Sequence, residues 1–283
     1  MVRDGALSRE PLLDRSLFKP RSPPRYGASL DAEFARFVPE ALINPVLTAA
    51  IRRRLYRIAA ADLAALQAAA SPAGGGRASR FVALCAHVWR LLARAVGDAD
   101  PSCRMAWIVD GRKQVEPSGG ALDRYVGNVV TYTSRARRAW RSCCAHRSPT
   151  WRPRCAPPSR GWRRRRGSRS WRTGRRSGRR RSGTAAVNLG LGSPALVISG
   201  LRPFAIDGDL GFGKPRLVMP WLRHGRLGSA SVTVVPDPCG DGSWLFAGTR
   251  MWPRLMEVVE SDPLLKLKPA GNLGLPTPAG SRL

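Results

Sequence analysis

The feature that most constrains this chain is a stretch of 53 residues, 134–186, that contains no Leu, Ile, Val, Met or Phe. The same stretch holds 19 arginines and no lysine or acidic residue. Without large aliphatic side chains it cannot bury enough apolar surface to build a core, and it shows neither a helical nor a strand period. We therefore expect residues 134–186 to be a disordered Arg-rich segment that interrupts a folded protein.

The basic charge of the chain is concentrated in this Arg-rich segment. The 283 residues carry a formal net charge of +29, and subtracting the 19 arginines of the segment leaves +10 on the rest. An evenly spread excess would favour polyanions such as nucleic acid or anionic membranes. Here the charge describes one segment, not the whole protein.

The rest of the sequence is typical of a globular protein, with 43% hydrophobic residues over the whole chain. The N-terminus lacks the apolar stretch of a secretory signal, and no apolar run approaches the roughly 18 residues of a membrane span. We expect a cytoplasmic protein. The six cysteines form no CxxC pair, which favours free thiols over a metal site or a disulfide framework.

Alternating and helical patterns flank the Arg-rich segment. Residues 52–70 predict a strand followed by an alanine-rich helix, and Ser79 fits the N-cap of a buried apolar helix that ends at Gly97. A buried strand is expected at 104–112. Upstream, residues 30–39 predict a short helix that ends at Pro39.

After the Arg-rich segment, residues 207–221 predict a glycine-rich turn followed by a strand. The pattern around DPCGDG (residues 237–242) predicts a β-hairpin, since β-rich runs lie on both sides of it. A helix should begin near Pro253.

None of the usual catalytic sets occurs in the sequence. His87, His146 and His224 are the three histidines, and none has an aspartate four residues further on. HxxxD and HExxH sites are therefore absent, and GSPALVISG is no GxSxG nucleophile elbow. The GDLGFG stretch resembles half a phosphate loop, but it lacks the GK[ST] ending and a following helix, which favours a structural turn.

Four stretches resemble, in order, the motifs of one known family. SRFVALCAHVW (79–89) resembles an S-[ST]-F-x-x-L-x-A-x-V-W helix, and VDGRKQVEPSGGALDRYVGN (109–128) resembles a DGR…P…YFGN segment. GLRPFAIDGDLGFGKP (200–215) is similar to a strand that leads into DFGWG, and its DLGFGKP (209–215) to the motif DFGWGKP. These are motifs of the BAHD acyltransferases, plant enzymes of secondary metabolism. The resemblance covers most of residues 50–133 and 187–270.

The resemblance implies an α/β (α+β) fold like that of chloramphenicol acetyltransferase, here mainly its second domain. It implies transfer of an acyl group from an acyl-CoA thioester to a hydroxyl or amine of a plant metabolite, in a channel between two domains. Acyl-CoA would be a co-substrate and no cofactor would be bound permanently. Intact relatives are expected to be monomers that act on a small-molecule acceptor, without a membrane partner.

The resemblance also assigns residues. Ser79, Tyr125, Gly127 and Asn128 would lie near the coenzyme A channel, although Ser79 can equally serve as a helix cap. Arg202 would reach the acyl acceptor, or would be a solvated charge at a strand end. A structural turn is expected from Asp209, Gly211, Phe212, Gly213, Lys214 and Pro215, with Asp209 paired to an arginine.

The departures from the family concern catalysis. The family's HxxxD histidine, its general base, precedes all these motifs, and this sequence has no HxxxD. We therefore expect a chain that is truncated at the N-terminus, catalytically inactive as written and without a catalytic residue of its own. Arg80 replaces a Ser or Thr near the expected cofactor channel.

These inferences divide the chain into five parts. Residues 1–50 are a remnant of the first domain with its connecting loop, and 51–133 the first part of the C-terminal domain. Residues 134–186 are the Arg-rich segment, 187–270 the second part of the C-terminal domain, and 271–283 a disordered tail.

The origin of the Arg-rich segment has two interpretations. Its composition is typical of GC-rich DNA translated out of frame, so we interpret it as the product of a frame error or a mis-joined exon. Alternatively, its arginines and interleaved tryptophans bind single-stranded nucleic acid or another polyanion through residues 135–181. A third interpretation of the whole chain is a non-catalytic remnant that still binds coenzyme A esters.

Overall fold

In a computed structural model of the chain, the structure describes residues 10–14, 34–36, 52–71, 76–97, 102–110, 112, 121–127, 129–138, 183–185, 194–202, 206, 208–209, 211, 213–219 and 230–270. The described strands are β1 (Phe34–Arg36), β2 (Arg52–Ile58), β3 (Ser102–Asp110), β4 (Val130–Arg138), β5 (Gly183–Ala185), β6 (Ala195–Gly200), β7 (Ala230–Pro236), β8 (Trp244–Met251) and β9 (Lys268–Pro269). The described helices are α1 (Ala60–Ala69), α2 (Arg80–Val96) and α3 (Pro253–Glu260), with a 3-10 turn at Ala121–Arg124.

Seven strands form one mixed sheet in the order β4-β3-β6-β7-β8-β2-β9. Strands β3, β6 and β7 are parallel neighbours, while the pairs β3–β4, β7–β8, β8–β2 and β2–β9 are antiparallel. Strands β1 and β5 form a separate antiparallel pair. This mixed sheet with helices confirms the α/β fold class expected from the sequence.

The main core lies between one face of this sheet and the three helices. Alternate residues of the strands point to that face, as the period of two requires. Helix α2 fills the centre because it is apolar on nearly all sides, and Trp89 meets Trp107 of β3 edge-on at 5.9 Å between ring centroids. The largest fully buried side chains are Trp89, Tyr56, Phe246, Ile58, Leu63, Leu66, Leu84, Leu91, Leu92, Met105 and Leu122.

The ends of α2 are fixed by the residues that the sequence indicates. The Oγ of Ser79 accepts a hydrogen bond from the backbone N–H of Val82 at 3.2 Å, which satisfies one of the free donors of the first turn. Gly97 ends the helix with a φ of 62°. Among the described residues, no helix has the length and apolar character that crossing a bilayer requires.

The predicted β-hairpin forms from β7 and β8, and Arg57 of β2 closes its turn. The guanidinium of Arg57 donates from Nε to Asp237 at 2.6 Å and from Nη2 to Asp241. The same carboxylates accept backbone N–H groups within the turn, from Cys239 and Ser243 respectively, each at 2.9 Å. Because one arginine joins two carboxylates, the hairpin turn is held against the end of β2.

Three secondary-structure predictions differ from the structure. Residues 34–36 form strand β1, not part of a helix, because they pair with the distant residues 183–185. A strand was also predicted after the glycine-rich turn within 207–221, but residues 213–219 form no strand.

The third difference concerns the Arg-rich segment. Strand β4 continues to Arg138, past the expected start of this segment, and strand β5 lies near the end of the segment. Disorder was therefore the wrong expectation for 134–138 and 183–185, since backbone pairing needs no aliphatic side chain; residues 139–182 and 271–283 lie outside the described residues.

A buried histidine–aspartate pair ties α2 to the segment after α3. The Nε2 of His87 donates to Oδ1 of Asp262 at 2.7 Å, and both side chains are almost fully buried. The backbone N–H groups of Leu264 and Leu265 donate to the same oxygen at 3.1 and 2.8 Å. His87 is therefore a packed residue of the apolar helix α2, with Asp262 as its partner.

These contacts set the pH dependence of the pair. Burial alone would raise the pKa of Asp262, but the hydrogen bond and charge of His87, with the backbone N–H groups of Leu265 and Leu264, lower it below the usual value. A lowered folded-state pKa adds stability above the unfolded-state pKa of about 3.9, and this stability is lost as the pH falls through the folded-state pKa.

We predict that Asp262→Asn lowers the free energy of unfolding at pH 7 by about 1.5–3 kcal/mol, because a charged acceptor of several buried hydrogen bonds is lost. Urea unfolding between pH 2 and 7 measures this. The difference between wild type and variant should shrink below about pH 4. Asp123→Asn, at an exposed carboxylate, is the control and should stay within about 0.5 kcal/mol. A difference that is independent of pH would contradict the assignment.

Candidate functional site

The N-terminus of α2 and the ends of β3 and β6 lie at one edge of the large sheet, and each carries part of a motif. Because β3, β6 and β7 are parallel, their carboxyl ends at Asp110, Gly200 and Pro236 point to the same edge. In open α/β sheets, ligands bind in crevices outside the carboxyl ends of the strands. We call this side of the molecule the carboxyl edge.

The N-terminus of α2 reaches the carboxyl edge. The ring of Phe81 lies so close to Gly200 that a Cβ at Gly200 would fall 2.6 Å from it. Ser79 is exposed next to this contact and uses its oxygen to cap the helix. Its hydroxyl proton can still be donated to a ligand, so the helix cap is observed and the cofactor contact of Ser79 stays a prediction.

A turn of the YVGN motif lies beside the end of β3. Arg112 donates to Asp110 from its backbone N–H and Nη1 at 3.0 and 3.2 Å. Its Nη2 donates to the carbonyl oxygens of Gly127 and Tyr125 at 3.0 and 3.4 Å. The DGR and YVGN motifs are thus joined by one guanidinium; Asn128, the last residue of the motif, lies outside the described residues.

Arg202 follows β6 at the carboxyl edge and is exposed. Its guanidinium carbon lies 5.7 Å from the ring centroid of Trp244, a cation–π distance. Trp244 itself is buried at the start of β8. An exposed guanidinium held over an aromatic ring suits both roles expected for Arg202, a solvated charge and a contact with an anionic ligand.

The DLGFGKP loop is organised by its aspartate. Oδ1 of Asp209 accepts the backbone N–H groups of Gly211 and Gly213 at 2.8 and 3.0 Å. Both glycines have positive φ, 103° and 101°, which residues with a Cβ rarely adopt. The described part of the chain contributes no arginine to Asp209, so the expected arginine partner stays a prediction. Lys214 and Pro215 are exposed, and Phe212 lies outside the described residues.

The electrostatics of the carboxyl edge favour an anion. It presents the guanidinium of Arg202 and the positive end of the α2 dipole, with Arg80 in the first turn. The carboxylates of Asp110, Asp237 and Asp241 are already paired with arginines. The edge can therefore attract phosphates or a carboxylate.

Within the described ranges this edge holds no histidine, and its exposed thiol, Cys239 in the β7–β8 turn, has a pKa raised above the usual value by its hydrogen bond to the Asp237 carboxylate. The described histidine, His87, is buried against Asp262. Burial raises the pKa of the Cys85 thiol to about 12, so it is no thiolate nucleophile at neutral pH. Among the described residues, no group of three or more His, Cys, Asp or Glu could hold a metal ion.

Comparison with known proteins gives the family. A model of the Transferase family matches residues 1–143, about half of the chain. The chain belongs to the BAHD acyltransferase family. Its motif helix at 79–89 and its DGR and YVGN motifs lie within the matched residues, whereas DLGFGKP lies beyond them.

One curated relative is similar to this chain in sequence, and two solved structures are similar to it in fold. Hydroxycinnamoyltransferase 2 of Oryza sativa subsp. japonica is 29% identical over 139 residues, which cover 46% of this chain and 31% of the relative. TRI101 of F. sporotrichioides, solved with coenzyme A and T-2, matches at TM-score 0.64 and 18% identity over 88% of this chain and 55% of its own. TRI101 of F. graminearum, solved with coenzyme A and deoxynivalenol, matches with a TM-score of 0.63 and 17% sequence identity, over 88% of this chain and 55% of the TRI101 chain.

The family model and the rice relative place the chain among the BAHD acyltransferases, and the two solved structures show its fold. The chain spans about a third of the rice relative and about half of the two structures. Sequence reasoning placed Ser79, Tyr125, Gly127 and Arg202 in family motifs, and the structure brings the segments that carry them to one edge. The sequence did not reveal two further contacts. The hydrogen bonds of Arg112 to the YVGN turn could have been suspected from the place of Arg112 in DGR. The contact of Arg202 with the ring of Trp244 has no signal in the sequence.

We predict that Asp209→Ala speeds amide exchange at Gly211 and Gly213 about tenfold, because a side-chain acceptor for backbone N–H groups contributes about 0.5–2 kcal/mol. Hydrogen exchange followed by NMR measures both amides. Asp209→Asn keeps one acceptor oxygen and should remain close to wild type. Unchanged exchange in Asp209→Ala would show that the carboxylate does not hold the loop.

Proposed function

We propose that this chain supplies the acyl-CoA-binding part of an acyltransferase site, for transfer of the acyl group to a hydroxyl or amine of a plant metabolite. The observation that carries the proposal is the meeting of the family's motif segments at the carboxyl edge. Ser79 caps a helix N-terminus there, and the Tyr125–Gly127 turn and Arg202 follow neighbouring strands.

The proposed ligand fits the charge of this edge. Coenzyme A carries several phosphates, which suit a helix N-terminus with nearby guanidinium groups. Both TRI101 structures contain coenzyme A, which supports acyl-CoA as the co-substrate of this chain as well. No permanently bound cofactor is included in the proposal.

We further propose that this chain alone does not catalyse acyl transfer. Acyl transfer in this family uses the HxxxD histidine as general base, and such a base contributes about 10²–10⁴-fold. The sequence contains no HxxxD, and His87, with its ring nitrogen bonded to Asp262, does not reach a substrate at the carboxyl edge.

The rice relative suggests the donor to test first. Its name makes a hydroxycinnamoyl thioester the first candidate for this chain. Arg202 would then bind a carboxylate of the acceptor, since it is exposed and its ring contact with Trp244 leaves its donor N–H groups available. We propose a cytoplasmic, monomeric protein. Polyanion binding through residues 135–181 stays a prediction that no described residue supports.

We predict that isothermal titration of the chain detects coenzyme A binding, and that pantetheine binds at least tenfold more weakly because it lacks the phosphates. With hydroxycinnamoyl-CoA and an alcohol acceptor, acyl transfer should not exceed the rate without protein. Equal affinity for pantetheine, or no binding, would overturn the proposed site. Turnover at the rate of an intact family member would overturn the proposed inactivity.

A further inference from the structure

Arg112 bonds to two separate parts of the carboxyl edge at once. On one side its backbone N–H and Nη1 both reach Oδ1 of Asp110, the last residue of β3. On the other side Nη2 reaches the carbonyl oxygens of Tyr125 and Gly127, 13 and 15 residues further along the chain. We call Asp110, Arg112, Tyr125 and Gly127 the arginine clamp.

The turn in the clamp is also bound to the segment at residues 10–14. Leu12 pairs with its backbone, donating to Arg124 O at 2.9 Å and accepting from Val126 N at 2.8 Å. The Tyr125 ring is buried and folds back over Gly127, where a Cβ would fall 2.5 Å from the ring. Val126, between them, stays exposed. The carbonyl oxygens of Tyr125 and Gly127 therefore turn inward to Arg112 while Val126 faces outward.

An arginine suits this position because its planar guanidinium offers several donors in fixed directions. In Arg112, Nη1 donates to the carboxylate of Asp110 while Nη2 donates to the carbonyl oxygens of Tyr125 and Gly127. A lysine keeps the charge but has a single nitrogen, so it cannot reproduce both sets of bonds with the same geometry.

We infer that Arg112 is a positioning residue that fixes the Tyr125–Gly127 turn in the conformation presented to coenzyme A. The clamp consists of hydrogen bonds within the chain and does not depend on the ligand. Its consequence for coenzyme A rests on the proposed function. The two claims can therefore be tested separately.

The test compares Arg112→Met, Arg112→Lys and wild type in the full chain. Methionine keeps an unbranched side chain without donors, and lysine keeps the charge with fewer donor directions. Arg124→Ala is the matched control, because Arg124 is exposed on the neighbouring 3-10 turn. Hydrogen–deuterium exchange reports on peptides that cover 10–14 and 121–129, with 230–251 as an internal reference, and titration gives the affinity for coenzyme A.

We expect Arg112→Met to raise exchange at least tenfold in 10–14 and 121–129 without changing 230–251, and to weaken coenzyme A binding at least tenfold. Arg112→Lys should show smaller changes than Arg112→Met in both the local exchange rate and the affinity for coenzyme A. Arg124→Ala should leave the exchange rate and the affinity unchanged. Unchanged local exchange in Arg112→Met, or a rise that extends equally to 230–251, would overturn the clamp. Local loosening with unchanged coenzyme A affinity would overturn its positioning role. If wild type binds no coenzyme A, the proposed function fails, and the exchange data still decide the clamp.

Discussion

The packing of α2 across the parallel strands β3 and β6 is the contact on which the rest of this structure depends. It buries Trp89 against Trp107 and brings Phe81 against Gly200, so the first turn of the helix lies at the carboxyl ends of the strands. Helix α2 and strands β3 and β6 therefore place Ser79, the YVGN turn and Arg202 at the carboxyl edge. A loss of this packing would separate segments that lie more than a hundred residues apart in the sequence.

Arginine hydrogen bonds give this edge its shape. Arg57 closes the β7–β8 turn, and Arg112 joins the end of β3 to the YVGN turn. Both satisfy carboxylates that would otherwise repel an anionic ligand, while Arg202 remains exposed over Trp244. The resulting positive character comes from a few placed side chains and a helix end, and is independent of the Arg-rich segment.

Much of the fold could be predicted because α2, β3 and the β7–β8 hairpin have strong local patterns. Ser79, Gly97 and Pro253 mark helix ends by backbone rules that act within one turn. Strand β1 and the extension of β4 to Arg138 could not be predicted, since they depend on pairing with distant residues. The links of His87 with Asp262 and of Arg112 with Gly127 are equally non-local, and a sequence shows neither partner.

The central claim is that the family's motif segments form one ligand-binding edge in this chain. Hydrogen–deuterium exchange of the wild-type chain with and without saturating coenzyme A tests it most directly. The account predicts added protection in peptides that cover 76–82, 121–129 and 200–202, with little change in α3. Binding accompanied by protection elsewhere, and by none in these three segments, would contradict it.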